Sequence, residues 1–289
     1  MNIKELLVRA EEYLQRFDVP SPRLDAEVLL ADLLDMERIN LYVKFDYPLT
    51  DEELSAYRRR LKKRARRYPV SYITGKKEFM SLELEMEEGV LIPRPETELL
   101  VEEIINFCEE NQLQSPNIVD VGTGSGAIMV SLGYYLDEAR VLGVDISEKA
   151  VKLARCNINK YNLENRLQAS RTDLLEPLLK RDMEIDIIAA NLPYIKNEDL
   201  TELSPEVKKE PEKALAGGQD GLKYYRRLLP QAEKLLRSGG LIGMEIDPHQ
   251  VDKMCSILEK QDWKQIEIKE DHGGYERIVL AVKGQEYAL

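Results

Sequence analysis

The stretch "NIVDVGTGSGAIMV", residues 117–130, decides the fold. Ile118, Val119 and Val121 are β-branched and apolar, as a strand covered on both faces requires. Gly122, Gly124 and Gly126 follow, and then an apolar run long enough for a helix. Glycines let the backbone turn sharply and come close to a ligand, and the helix beyond presents free N–H groups. A second strand, within "RVLGVDIS", ends at Asp145, whose carboxylate can accept both hydroxyls of a ribose. The pair points to a cofactor that carries a nucleoside. Gly122-x-Gly124-x-x-Ala127 also satisfies the dinucleotide fingerprint, so a nicotinamide enzyme stays open here, and a purely structural turn is the plain alternative.

Downstream, the same alternation continues through "EKAVKLARCNINKYN", "RLQASRTDLL", "IDIIAANLPYI", "YYRRLLPQAEKLLRSGG" and "LIGMEID". Strand and helix in turn imply an α/β fold with a doubly wound, mostly parallel sheet, here assigned to residues 93–289. Upstream, residues 1–75 read as a small helical bundle. Ile3, Leu6, Leu7, Ala10, Leu14 and Phe17 recur at helical spacing. Ser21-Pro22 reads as an N-cap followed by proline at N1, and Thr50-x-x-Glu53 as a capping box opening a third helix that ends near Tyr68-Pro69. Residues 76–92 alternate apolar and polar with Gly89 as punctuation, which predicts a β-hairpin linking the two domains. The run "RRRLKKRARR", residues 58–67, is either a solvated helix face or a contact patch for an acidic or RNA-associated partner.

Composition narrows the function. A net charge of −12 over 289 residues argues against a whole-molecule grip on phosphate backbones. No apolar run approaches the ~20 residues that span a bilayer. The amphipathic, partly acidic "MNIKELLVRAEEYL" is not a signal peptide, and Cys108, Cys156 and Cys255 lie far apart, so a cytoplasmic protein is expected. With only His249 and His272, a hydrolase triad or a histidine-rich metal site is disfavoured, and no metal is expected.

The strand at 185–190 ends in Asn191-Leu192-Pro193-Tyr194, where a simple turn would favour Gly, Asp or Ser. A strand-ending turn with a core tyrosine is the bland reading. With Gly-x-Gly-x-Gly upstream, this tetrapeptide resembles that of class I S-adenosylmethionine-dependent methyltransferases acting on planar nitrogens. More narrowly, the chain is similar to the HemK/PrmC-type glutamine methyltransferases that modify peptide chain release factors. The blocks "PVSYITGKKEF", "LIPRPETELLVE", "DVGTGSGAI", "ANLPYI", "EPEKALAGGQDGLKYYRRL" and "GGYERIVLAV" carry that resemblance together.

The resemblance implies methyl transfer from S-adenosyl-L-methionine, leaving S-adenosyl-L-homocysteine, to the amide nitrogen (N5) of the glutamine in the release factors' Gly-Gly-Gln loop. It implies class 1 release factors as protein substrate, with no membrane or direct nucleic-acid contact, and a monomer. Asn191, Pro193 and Tyr194 would be catalytic, and Leu192 would join them in gripping the substrate amide. Gly122, Thr123, Gly124, Ser125, Gly126, Asp145, Asp173, Leu174 and Asn191 would meet the cofactor. Asp173 capping a turn is the duller alternative, and Leu174 stands where many relatives carry an aromatic residue. Arg94 and Thr97 fall in the block that borders the site.

Leu192 replaces the usual first proline of Asn-Pro-Pro-Tyr and gives a tetrapeptide that also resembles rRNA adenine dimethyltransferases. The glycine loop, the "IPRPETE" block and the acidic charge favour the protein substrate. Glu245-Ile246-Asp247 stands where relatives often have Glu-x-Gly, and tolerance of a left-handed turn would explain Asp247. A ribosomal-protein glutamine or nucleic-acid adenine-N6 methyltransferase is the alternative within the class. Outside it stand a nicotinamide oxidoreductase and a non-enzymatic RNA-binding scaffold.

Overall fold

A computed structural model describes residues 1–180, 184–261 and 263–284; residues 285–289, which close the predicted 93–289 segment, lie outside it, as do 181–183 and 262. The chain divides into two compact units. One takes Met1–Lys76 with Met86–Glu88 and Ser204–Lys209, and the other takes Lys77–Glu85, Gly89–Leu203 and the chain from Glu210 on.

The first unit holds α1 (Ile3–Gln15), α2 (Pro22–Leu33), α3 (Arg38–Val43), α4 (Asp51–Ala65) and α5 (Val70–Thr74). Asn2 and Glu5 form a capping box at α1, and Thr50 and Glu53 form the expected one at α4. Ser21 occupies the N-cap of α2, but its side chain makes no cap bond; Pro22 at N1 marks that start. The bundle has five helices rather than three. The extra α3 is six residues long and buries only Leu41, too short for a period to show. The helix expected to reach Tyr68 stops at Ala65, where Arg67 adopts φ +65° and Pro69 leads into α5. Of the predicted apolar stripe on α1, Phe17 lies past the helix and is exposed; the rest is buried around Tyr57, whose hydroxyl donates to the Ala26 carbonyl at 2.7 Å.

The basic run on α4 splits in two. Arg60 pairs with Asp32 at 2.5 Å, and buried Arg64 pairs with Asp25 at 2.6 Å and Glu206 at 2.8 Å. Arg67 reaches Glu206 at 2.6 Å. Burial alone would raise the Glu206 carboxyl, but hydrogen bonds from Arg67 and Arg64 bring it down to about 2. These three arginines hold the first unit together. Arg58, Arg59, Lys62, Lys63 and Arg66 are exposed along the remaining face.

In the second unit, β1 (Lys76–Phe79) and β2 (Leu82–Glu85) form a hairpin. Its turn is Met80-Ser81, with φ of +49° and +57°, inside the predicted 76–92 segment and ahead of Gly89. There follow α6 (Glu96–Glu110), β3 (Asn117–Val121), α7 (Ala127–Tyr135), β4 (Arg140–Asp145), α8 (Glu148–Lys160), β5 (Leu167–Arg171) and β6 (Ile185–Ala190). Then come α9 (Lys223–Leu235), β7 (Leu236–Glu245), α10 (Val251–Leu258), β8 (Trp263–Glu270) and β9 (Glu276–Lys283). Strand order is β5-β4-β3-β6-β7-β9-β8, parallel from β5 to β7 and antiparallel at β9.

Both faces of the sheet are covered. Ile118 and Ile187 enter one apolar cluster with Leu100, Ile104 and Met129; their neighbours Val119 and Ile188 enter another with Leu228 and Leu229. From β3 the chain winds outward through β4 and β5, then returns to place β6 on the other side of β3. The carboxyl ends of β3 and β6 therefore flank the topological switch point, where doubly wound sheets hold ligands. Among the described residues, no helix is long and apolar enough to cross a membrane.

Candidate active site

The glycine loop leaves β3 with φ of +80°, +56° and +84° at Gly122, Gly124 and Gly126, a backbone that side-chain-bearing residues resist. It is strapped to the neighbouring strand: the N–H groups of Gly122 and Thr123 both donate to the Val144 carbonyl, at 2.8 and 3.0 Å. At the end of β4, Asp145 accepts from Gly124 N at 3.0 Å and from Ser147 N at 2.8 Å. Burial raises its carboxyl, and these backbone donors pull it back. Beneath the loop, Thr123 donates to Asp120 at 2.6 Å, and full burial pushes that carboxyl up to about 7.

Asn157, absent from the sequence reading, braces the loop from α8. Its Nδ2 donates to the Ser125 carbonyl at 2.8 Å and to the Glu85 carbonyl at 3.1 Å, and its Oδ1 accepts from Glu85 N at 2.7 Å. It is fully buried, so its loss strands three backbone groups. Asn157→Ala should lower the stability of the second unit by about 2–4 kcal/mol, read as a shifted urea midpoint at unchanged slope.

The tetrapeptide at the end of β6 sits beside this loop. A Cβ built on Gly122 would lie 3.0 Å from Leu192 Cδ2 and 3.3 Å from the Asn191 carbonyl oxygen. Asn191 Nδ2 donates to Thr97 Oγ1 at 3.0 Å and to Glu245 Oε2 at 2.9 Å. Thr97 itself donates to Glu245 Oε2 at 2.5 Å, and the Tyr194 hydroxyl donates to Glu245 Oε1 at 3.1 Å. Burial pushes the Glu245 carboxyl up, and the hydrogen bonds from Thr97 and Tyr194 oppose it. Burial likewise carries the Tyr194 hydroxyl well above its ordinary range.

The backbone is held as firmly. Leu192 N donates to the Tyr225 hydroxyl at 3.1 Å, and that hydroxyl donates to the Glu245 carbonyl. A proline at 192 would have no hydrogen for this bond, so the departure from the double-proline pattern gains a contact here. Gln250 Nε2 donates to the Tyr194 carbonyl at 2.7 Å. No donor among the described residues reaches the carbonyl of Leu192 or Pro193.

Of the other predicted residues, Arg94 pairs at 2.6 Å with Glu210, which also accepts from Ile92 N at 3.0 Å. Two of the blocks singled out in the sequence are thereby joined by a buried carboxylate. Asp173 accepts from Arg227 at 2.9 Å. Leu174 has φ +50° and its side chain lies in the core, so it presents no stacking face in place of the missing aromatic. Asp247 keeps φ −73° and caps a short 3-10 turn by accepting from His249 N, so no left-handed conformation needs explaining. Sequence reasoning gave no role to Glu245, Tyr225, Gln250 or Glu210. Glu210 and Tyr225 lie in a quoted block and Glu245 in the Glu-x-Gly-like triplet, whereas nothing local marks Gln250.

Comparison with known proteins agrees with this geometry. Residues 5–75 match a family model described as the PrmC N-terminal domain, and residues 96–216 match one described as ribosomal protein L11 methyltransferase (PrmA). A release factor glutamine methyltransferase of Clostridium acetobutylicum is 38% identical over 98% of this chain and 99% of its own length. That of Moorella thermoacetica is 37% identical over 99% of this chain and 100% of its own. Among solved structures, the hMettl16 catalytic domain superposes with a TM-score of 0.59 at 18% identity, over 77% of this chain and 82% of that one. Human methyltransferase 10 domain containing protein does so at 0.53 and 19% identity, over 71% and 90%. These last two show the fold alone, that of the methyltransferases. Full-length likeness joins the glycine loop, the acid at the end of β4 and the braced Asn-x-Pro-Tyr turn in one conclusion: the chain belongs to the release factor glutamine methyltransferase family.

Proposed function

We propose that this chain transfers a methyl group from S-adenosyl-L-methionine to the side-chain amide nitrogen (N5) of the glutamine in the Gly-Gly-Gln motif of class 1 release factors. Near-full-length similarity to release factor glutamine methyltransferases supports that substrate over a ribosomal protein or an adenine. The observation that carries the chemistry is the Asn191 amide. Its nitrogen is turned inward onto Thr97 and Glu245, which leaves Oδ1 as the outward acceptor.

A carboxamide nitrogen is a poor nucleophile because its lone pair is delocalised into the carbonyl. Accepting hydrogen bonds from both of its hydrogens returns electron density to nitrogen. Asn191 Oδ1 takes one hydrogen, and the carbonyl of Leu192 or Pro193 takes the other. Pro193 fixes the backbone before substrate arrives, and the Tyr194 ring borders the flat amide. The bound methyl donor supplies a methyl already activated on a sulfonium, so the residues' task is in-line positioning.

The loop fits such a donor. Around the missing Cβ of Gly124, at φ +56°, only the Gly122 carbonyl comes within 4 Å, at 3.8 Å, so the strained backbone borders open space. The Asp145 oxygens accept from the backbone N–H groups of Gly124 and Ser147, and lone pairs remain for a ribose hydroxyl. We assign residues 122–126 and Asp145 to the donor, with Asp173 and the Leu174 backbone at its adenine end.

The N-terminal helices dock part of the release factor through the five exposed cations of α4 and its C-cap, Arg66. Changing Arg58, Arg59, Lys62, Lys63 and Arg66 together to glutamate should raise KM for the release factor about tenfold at low salt, with kcat unchanged. An unaltered KM counts against this docking face. The function itself is tested with labelled methyl donor and a release factor offered beside ribosomes and RNA. Label should appear on the factor and vanish when its Gly-Gly-Gln glutamine is replaced. No label on the intact factor, or label that survives the replacement, overturns the assignment.

A further inference from the structure

Glu245 is 1% exposed, yet its carboxylate receives three hydrogen bonds and returns none. Thr97 and Asn191 donate to Oε2, and Tyr194 donates to Oε1. Because the Thr97 hydrogen is spent on Glu245, the Thr97 oxygen can only accept from Asn191, at 3.0 Å. Asn191 therefore meets two acceptors on its inner side and no donor. Turning its amide over would set Oδ1 against Oε2 and leave a buried carboxylate short of a partner.

We propose that Glu245 is the positioning residue of methyl transfer: it dictates which end of the Asn191 amide faces the substrate. This rests on the reading that Asn191 Oδ1 accepts a hydrogen from the substrate carboxamide. Glu245 touches neither substrate nor donor and acts through Asn191 and Tyr194. It sits at the carboxyl end of β7, next to β6, where parallel pairing sets Ala190 opposite Met244. The two strand ends thus deliver the amide and the carboxylate that orients it side by side.

The variants Glu245→Leu and Glu245→Gln separate this role from a structural one. Leucine offers no acceptor, so the Asn191 amide can turn. Glutamine can keep its oxygen toward Asn191 and turn its nitrogen toward the Tyr194 hydroxyl, whose oxygen accepts. Glu245→Leu should lose about 30-fold in kcat, less than the 10²–10³-fold of removing a transition-state hydrogen bond outright because the freed amide still samples the productive orientation, while S-adenosylhomocysteine binds within threefold of wild type. Glu245→Gln should keep at least ten times the leucine variant's rate. A leucine variant that binds S-adenosylhomocysteine and turns over within threefold of wild type overturns the proposal, as does a glutamine variant no faster than leucine.

A measurement on the unaltered protein decides the matter even if leucine prevents folding. With asparagine labelled in 15N, the Asn191 side-chain hydrogens should exchange with solvent at least tenfold more slowly than those of exposed asparagines. Exchange as fast as the exposed set means the nitrogen faces outward and contradicts the proposal. Either failure would leave wild-type methylation of the release factor glutamine standing, so it is distinct from failure of the function itself.

Discussion

Asn191→Ala should lower the kcat of methyl transfer by about 10²–10³-fold, the range found when one preorganised hydrogen-bonding group is taken from a transition state. On the proposed reading Asn191 Oδ1 accepts from the substrate amide while Nδ2 is held by Thr97 and Glu245, and alanine removes that acceptor without altering the glycine loop or Asp145. Calorimetry with S-adenosylhomocysteine should therefore give an affinity within a few fold of wild type. Stability should fall as well, by about 1–3 kcal/mol, because Glu245 and Thr97 lose a donor in a buried site. The two readings separate chemistry from folding. A variant that loses cofactor and rate in parallel would argue for a general collapse of the switch point.

Gly217→Ala should be nearly as damaging, although residue 217 carries no functional group. A Cβ there would lie 2.6 Å from the Pro193 carbonyl oxygen, 2.7 Å from Tyr194 Cα and 2.7 Å from the Gly221 carbonyl oxygen. All three neighbours are backbone atoms, so no side chain can swing aside, and the tetrapeptide must move. A displacement near 1 Å at reacting groups costs about 100-fold in rate, and that is the loss expected in kcat. Asp145 and the glycine loop are untouched, so S-adenosylhomocysteine should still bind. A Gly217→Ala enzyme with wild-type kcat would mean the tetrapeptide is not held by the loop behind it. The block "ALAGGQDGL" thereby acquires a physical purpose: its glycines let the chain pass against residues 193 and 194.

Local signals carried much of this molecule. Alternation of strand and helix, three glycines after β3, an acid at the end of β4 and an amide at the end of β6 are all short-range patterns. Once the sheet is known to be doubly wound, they must converge at one place. What stayed hidden depends on pairing across the sheet. Glu245 stands at a Glu-x-Gly-like position, yet its bond to Asn191, 54 residues away, has no local signal. The basic run on α4 read as one feature, yet Arg60, Arg64 and Arg67 turn inward to carboxylates elsewhere in the first unit, which no count of charges reveals.

Turn chemistry misled in a different way. The Met80-Ser81 turn adopts positive φ without a glycine or asparagine, so no turn signal in the sequence marks where the hairpin bends. Asp247 misled in reverse, since a residue suspected of a left-handed turn proves to be an ordinary cap. The Leu192 departure shows the converse: a residue outside the family's usual pattern earns its place through a backbone hydrogen that proline lacks.

The most direct test is a crystal structure of the enzyme with S-adenosylhomocysteine and a peptide bearing the Gly-Gly-Gln sequence. One amide hydrogen of the glutamine should lie on Asn191 Oδ1 and the other on the carbonyl of Leu192 or Pro193, with the nitrogen facing the sulfur. A glutamine bound away from residues 191–194, or an Asn191 that presents Nδ2 to it, would contradict the account.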